Sequence, residues 1–155
     1  MRFRFLPLIL LAVFSIAAGK KVPNVTVRFH TETNEHDTSS FAAPVTLKYP
    51  PRQVFIDKLP AISEREIAAI YPFQAADGTF GCAFKLDDHG TIELDTLSVE
   101  KRGTSLVAVV NGRQVTDMQI DRRVSDGVLT IASGLTPLEI ALLQRKYRQL
   151  GAPRK

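Results

Sequence analysis

The sequence predicts an α+β domain, an antiparallel or mixed sheet with two helices packed on it. Three observations predict it. Short segments alternate apolar and polar residues at the period of a half-buried strand, as in Phe80, Cys82, Phe84 and Leu86. The dipeptides Asp77-Gly78, Asn111-Gly112 and Asp126-Gly127 punctuate those segments with turn chemistry. A capped, one-sided helix opens at Thr136. The 155 residues, 45% hydrophobic and 23% charged, suit one globular domain and exclude a disordered, collagenous or disulfide-stapled chain.

The first element is an address. Two arginines lie in Met1 to Arg4, and Phe5 to Ala18 (FLPLILLAVFSIAA) is uncharged. That run is shorter than the ~20 residues a membrane-crossing helix needs. A basic start, a short apolar middle and small residues at the end read as a signal peptide over 1–18, with Ala17, Ala18 and Gly19 as the cleavage region. No cysteine stands there to carry a lipid, so the expectation is a periplasmic or secreted protein without stable membrane insertion after signal removal. Losing Arg2 and Arg4 lowers the formal charge from +4 to +2. Between Val22 and Gln144 there are 11 basic and 16 acidic residues, which excludes a body-wide basic face for nucleic acid. Residues 151–155 form a basic tail.

Residues 19–58 read as strands around a polar loop. Val25 to Thr33 alternates as a strand, and Asn34 to Ser40 (NEHDTSS) has no periodicity. Val45 to Tyr49 and Val54 to Lys58 are short strands, with Pro50-Pro51 between them marking a turn or sheet edge. Lys58 to Ile62 is a connector. Residues 59–150 are more strongly punctuated. Ser63 to Glu66 has a capping-box pattern, but Tyr71-Pro72 stops any helix within about two turns. Asp77-Gly78 joins strands at Ile70 to Phe73 and Phe80 to Leu86. Thr91 to Arg102 fits a helix closing on Gly103, although Ile92, Leu94, Leu97 and Val99 also partly fit a strand. Ser105 to Val110, the Asn111-Gly112 turn and Val115 to Ile120 form a hairpin, and Val128 to Ala132 is a further strand. The last helix has Thr136 as N-cap, Pro137 in its first position and Glu139 completing a capping box. Leu138, Ala141, Leu142 and Tyr147 supply its apolar stripe, widened by Ile140 and Leu143; Gly151 and Pro153 end it. Two helices among these strands point to a split β-α-β (ferredoxin-like) arrangement in the C-terminal half.

From about Leu59 to Tyr147 the chain resembles the head subdomain in the first periplasmic domain of SecD, an accessory subunit of the bacterial preprotein translocase. Four segments in order carry the resemblance: Ile62 to Ala69 (ISEREIAA), Cys82 to Gly90 (CAFKLDDHG), Gly103 to Gly112 (GTSLVAVVNG) and Ile131 to Glu139 (IASGLTPLE). The departures are Asn111 in place of the usual aspartate, Thr116-Asp117-Met118 in place of small residues and proline, and Asp126-Gly127 in place of paired glycines. No apolar stretch after Ala18 is long enough for the transmembrane part of SecD, so proton-driven transport does not carry over. The resemblance implies an exported, non-enzymatic module for protein or peptide interaction, accessory to protein export or envelope assembly, with a polypeptide or envelope protein as partner.

Candidate chemistry lies elsewhere in the chain. His30 to Asp37 (HTETNEHD) holds enough nitrogen and carboxylate for a divalent metal but none of the tight zinc spacings. It is the basis of the alternative reading, a small metal- or ligand-binding envelope domain or enzyme. Asp87-Asp88-His89-Gly90 lacks the alternating ligands of a calcium loop and reads as a helix cap. Ser105 and Ser133 lie outside any Gly-x-Ser-x-Gly elbow. Cys82, the only cysteine, sits on an apolar strand face and reads as a core thiol. Asn24-Val25-Thr26 is a glycosylation sequon relevant only in a eukaryotic secretory pathway. No catalytic residue, cofactor or metal ligand is assigned. Edge strands near Pro50-Pro51 offer a route to an extended peptide by strand addition.

Overall fold

The computed structural model describes residues 24–34 and 42–151. The expected signal peptide, its cleavage region at Ala17, Ala18 and Gly19, most of the polar loop and the last four residues of the basic tail lie outside them. Nine strands and two helices are present among the described residues. The strands are β1 (Val27–Thr33), β2 (Ala42–Lys48), β3 (Pro51–Asp57), β4 (Ile67–Gln74), β5 (Phe80–Leu86), β6 (Ser105–Val110), β7 (Arg113–Gln119), β8 (Val128–Leu135) and β9 (Arg148–Gln149). Helix α1 (Asp88–Glu100) follows β5 and α2 (Pro137–Lys146) follows β8. The α+β class holds, with two sheets rather than one.

A five-stranded antiparallel sheet runs β2-β3-β1-β6-β7, and a four-stranded sheet runs β8-β5-β4-β9. In the second sheet only β4 and β9 pair in parallel. The split ferredoxin-like arrangement is not reproduced as one sheet. The β6–β7 hairpin, expected within the C-terminal half, pairs instead with β1, from Val27 opposite Val110 to Thr31 opposite Leu106. The physical reason is burial on both faces. Leu106, Ala108 and Val110 enter the main core, while Val107 turns to a second cluster with Leu47, Val54 and Ile56. A strand buried on both sides needs a partner along each edge, and β1 supplies the second. Strand β1, from the N-terminal side of residue 58, therefore shares a ladder and a core with residues 59–150.

The main core draws on both sheets and both helices. At its centre Phe29 meets Phe84 edge to face, with ring centroids 5.9 Å apart. Cys82 is fully buried beside them. Local chemistry explains most element ends. Asp87 caps α1 by accepting from Gly90 N at 2.8 Å, so the helix begins three residues earlier than its apolar pattern suggests. Asn111 and Gly112 both adopt positive φ, +50° and +78°, as a type I′ hairpin turn requires. Ser63 and Glu66 make capping-box bonds without a helix: Glu66 accepts from Ser63 N and Oγ, and β4 starts at the next residue. Pro72 lies inside β4, beyond the point at which pairing with β9 ends at Ile70.

Helix α2 forms the capping box as expected but ends at Lys146, and β9 follows. Its apolar stripe also differs. Ile140 and Leu143 carry the burial, while Leu138 is 68% exposed because the second position of the first turn faces solvent.

Candidate functional site

The residues with the most chemistry in the sequence are engaged in holding the fold. His30 is buried, and its Nδ1 donates to the Asp57 carbonyl at 2.8 Å. Glu32 accepts from both terminal nitrogens of Arg52, each at 2.8 Å, and from Ser105 N at 3.0 Å. Burial raises the Glu32 pKa, but the hydrogen bonds from Arg52 and Ser105, together with the Arg52 charge, outweigh it and hold the carboxyl below its ordinary range. His36 and Asp37 lie outside the described residues, and among the described residues no group of three His, Cys, Asp or Glu is placed to hold a metal.

The other candidates resolve similarly. Arg52 contacts Ser105 Oγ at 3.4 Å, and Ser133 lies against Asp77. His89 pairs with Glu93 one helical turn on, at 3.7 Å on the exposed face of α1. Burial pushes the Cys82 thiol up to about 12, which leaves it inert.

The strand edge near Pro50-Pro51 is also engaged, contrary to the strand-addition route expected there. The five-stranded sheet curls until its two outer strands face each other, and side chains bridge the seam. Asp117 of β7 accepts from Lys48 N at 2.7 Å and from Tyr49 N at 3.3 Å. Lys48 Nζ donates to Val115 O at 2.6 Å, and Gln114 Nε2 donates to Thr46 O at 2.9 Å. Both edges are thereby blunted along this stretch.

A stretch of open edge lies where the two sheets diverge. Strands β7 and β8 belong to different sheets and converge at one end, where a Cβ on Gly134 would lie 3.2 Å from Val115 Cγ1. Arg113 of β7 fastens that end, donating to Gly134 O at 3.0 Å and to both Glu139 oxygens at 2.8 and 3.0 Å. Towards Met118 and Thr130 the strands separate, and a groove of about 590 Å³ opens between them. Residues 121–126 close its far side. Arg123 pins that loop to α1 through Asp95, with contacts of 2.5 and 2.7 Å, and Val124 N donates to Ser98 Oγ at 2.9 Å.

The β8 wall of this groove carries unpaired backbone. Leu86 N donates to Gly127 O, while Val128 N is turned away from β5 and donates to the Asp126 carboxylate at 3.1 Å. Alternation along a strand then directs the N–H and C=O of Thr130 away from β5 as well, towards the groove. Among the described residues neither group has a hydrogen-bond partner. The rim carries Asp121, Asp126, Arg122 and Arg123, two residues of each sign, and Arg123 is paired to Asp95. No sequence motif marks this site. Its two walls come from separate strands, and only the Asp126-Gly127 turn at its corner is visible as a signal.

No family model and no curated protein matches the chain. Solved structures do match. One, of a membrane component SecDF that enhances protein export, aligns with a TM-score of 0.54 at 16% identity, covering 84% of this chain and 69% of the other. Another, of SecDF in a super-membrane-facing form, aligns with a TM-score of 0.54 at 16% identity and covers 80% of this chain but 19% of the other. Among the described residues no helix is long and apolar enough to cross a membrane. The resemblance read from the sequence therefore holds at the level of fold: the described residues fold like a SecD-type periplasmic domain, with no transmembrane helix among them.

Proposed function

We propose that this chain is an extracytoplasmic, non-enzymatic module that binds extended polypeptide, accessory to protein export or envelope assembly. The observation that carries the reading is the β8 edge at Thr130, which presents a free backbone donor and acceptor inside a groove. An extended chain satisfies both by adding a strand, whatever its sequence. The SecDF fold supports the setting, since one matching structure is of a component that enhances protein export. Engagement of His30, Glu32, Ser105 and Cys82 in structural contacts supports the non-enzymatic role.

The test is binding of a carboxymethylated, permanently unfolded polypeptide to the purified protein. Thr130→Pro removes the outward N–H on an edge strand, where proline is tolerated. It is expected to weaken binding about tenfold, the equivalent of one net hydrogen bond, while Thr130→Ala stays near wild type. Far-UV circular dichroism checks that both variants fold. Absence of binding by the wild-type protein, or equal binding by folded Thr130→Pro, would overturn the reading.

A further inference from the structure

We infer that the groove selects a small aliphatic side chain at one position of the polypeptide it takes up. This rests on the polypeptide reading and adds a specificity to it. Behind the groove lies a second, smaller cavity of about 60 Å³. The two share Met118, Gln119, Asp121, Arg122, Val124 and Leu129, so the cavity is a well in the groove's floor. Leu94 and Leu97 of α1 and Leu106 of β6 complete its apolar wall. The one hydroxyl nearby, Ser98 Oγ, is satisfied at both ends: it donates to Asp95 O at 2.8 Å and accepts from Val124 N at 2.9 Å. Gln119, Asp121 and Arg122 are the other polar residues that line it, and a side chain seated against Leu94, Leu97 and Leu106 gains by burying apolar surface.

Volume sets the upper limit. A dry apolar cavity of ~150 Å³ admits benzene, so one well under half that size excludes aromatic rings and fits groups near the size of alanine or valine. Register sets the position. Cross-strand neighbours point to the same face of a sheet, so the residue added opposite Leu129 is the one directed into the well. The next inward positions, two residues either way, fall opposite Gly127 and Ile131. Gly127 precedes β8, so the position opposite it lies beyond the end of the strand, and beyond Ile131 the two strands close together at Val115 and Gly134. One position is thus read and its neighbours are not.

The test uses capped heptapeptides of threonine and serine with a varied central residue, measured by calorimetry against the purified wild-type protein. Valine and alanine at the centre are expected to bind about tenfold tighter than phenylalanine. Leu97→Ala enlarges the well, and is expected to bring leucine or phenylalanine within about twofold of valine. The wild-type series alone decides the matter if that variant does not fold. Binding of the carboxymethylated polypeptide with no dependence on the central residue, or with no heptapeptide binding, overturns the well and leaves the polypeptide reading standing. Failure of the carboxymethylated polypeptide to bind at all removes both.

Discussion

Glu139 fastens α2 to β7 through Arg113, which also holds Gly134 of β8, and Glu139→Ala measures how much that fastening contributes. The residue is 7% exposed. Its Oε2 accepts from Thr136 N at 2.8 Å and from Thr136 Oγ1 at 3.0 Å, and the carboxylate takes two contacts from Arg113 Nη2. Alanine removes the capping box, worth about 1 kcal/mol. It also removes a charge-assisted bond worth ~1.5–3 kcal/mol when shielded from water. Since the Arg113 side chain is 46% exposed, solvent replaces part of that bond, and ~1 kcal/mol is the appropriate share. The expected loss is therefore about 2 kcal/mol by urea unfolding, read by far-UV circular dichroism because the chain has no tryptophan. Arg113→Ala should lose about 1 kcal/mol, and the double variant should fall short of the sum of the two single losses by ~1 kcal/mol. A loss under ~0.5 kcal/mol for Glu139→Ala, or strict additivity, would refute the reasoning.

Other expectations follow from the same contacts. The pKa of Glu32 is lowered in the folded state, so its contribution to stability is present above about pH 4.5 and is lost as pH falls through the depressed value. Asp95, held down by Arg123, and Asp77, held down by Thr79, act with the same sign below pH 3.8. Glu32→Gln should flatten the acid limb of the stability curve, and an unchanged limb counts against the Arg52 pairing. With its thiol at about 12 against an ordinary 9.0, Cys82 should react roughly a thousandfold more slowly with a thiol reagent at pH 8 in the folded protein than in urea; comparable rates would contradict its burial. Gly81→Ala drives a Cβ into the Phe73 ring and against Ala132 O, and a loss of about 1–3 kcal/mol is expected in urea unfolding. Asp117→Ala releases Lys48 N and Tyr49 N at a strand edge, so size-exclusion chromatography should show concentration-dependent self-association; a monomer at every concentration would show that the seam does not protect the edge.

What was legible in the sequence was whatever is decided within a few residues. Thr136, Pro137 and Glu139 specify the start of α2 by contacts they make with one another, and Asn111-Gly112 specifies its turn by backbone conformation alone. What was not legible depends on distant partners. Strand β9 is two residues long and exists because Ala69 and Ile70 offer it an edge. Ser63 and Glu66 satisfy each other as in a helix cap, yet Ile67 and Ile70 are buried as strand residues and override the signal. The site was least legible, since β7 and β8 meet only after the β6–β7 hairpin has joined β1. The departure at Thr116-Asp117-Met118 was visible but not interpretable. In the fold, Asp117 bridges the seam to β2 and Met118 lines the well.

The distribution of strand edges gives those two neighbouring residues a common logic. A protein of two sheets must deal with every outer strand, because an exposed edge pairs with whatever extended chain it meets. Here β2 and β7 are turned on each other across the Asp117 seam, and β4 is covered by β9 at Ala69 and Ile70, beyond which Pro72 has no N–H to offer. On β8 the amide of Val128 is taken by Asp126 at one end, while Gly134 is taken at the other by Thr79 and Arg113. The stretch left between them centres on Thr130, too short to template a sheet yet long enough to hold one or two residues of an added strand. Backbone bonds at so short an edge supply little affinity, so a side-chain contact must supply the rest. The well beneath Leu129 offers an apolar contact in that register, which is why the edge and the well act as a single site.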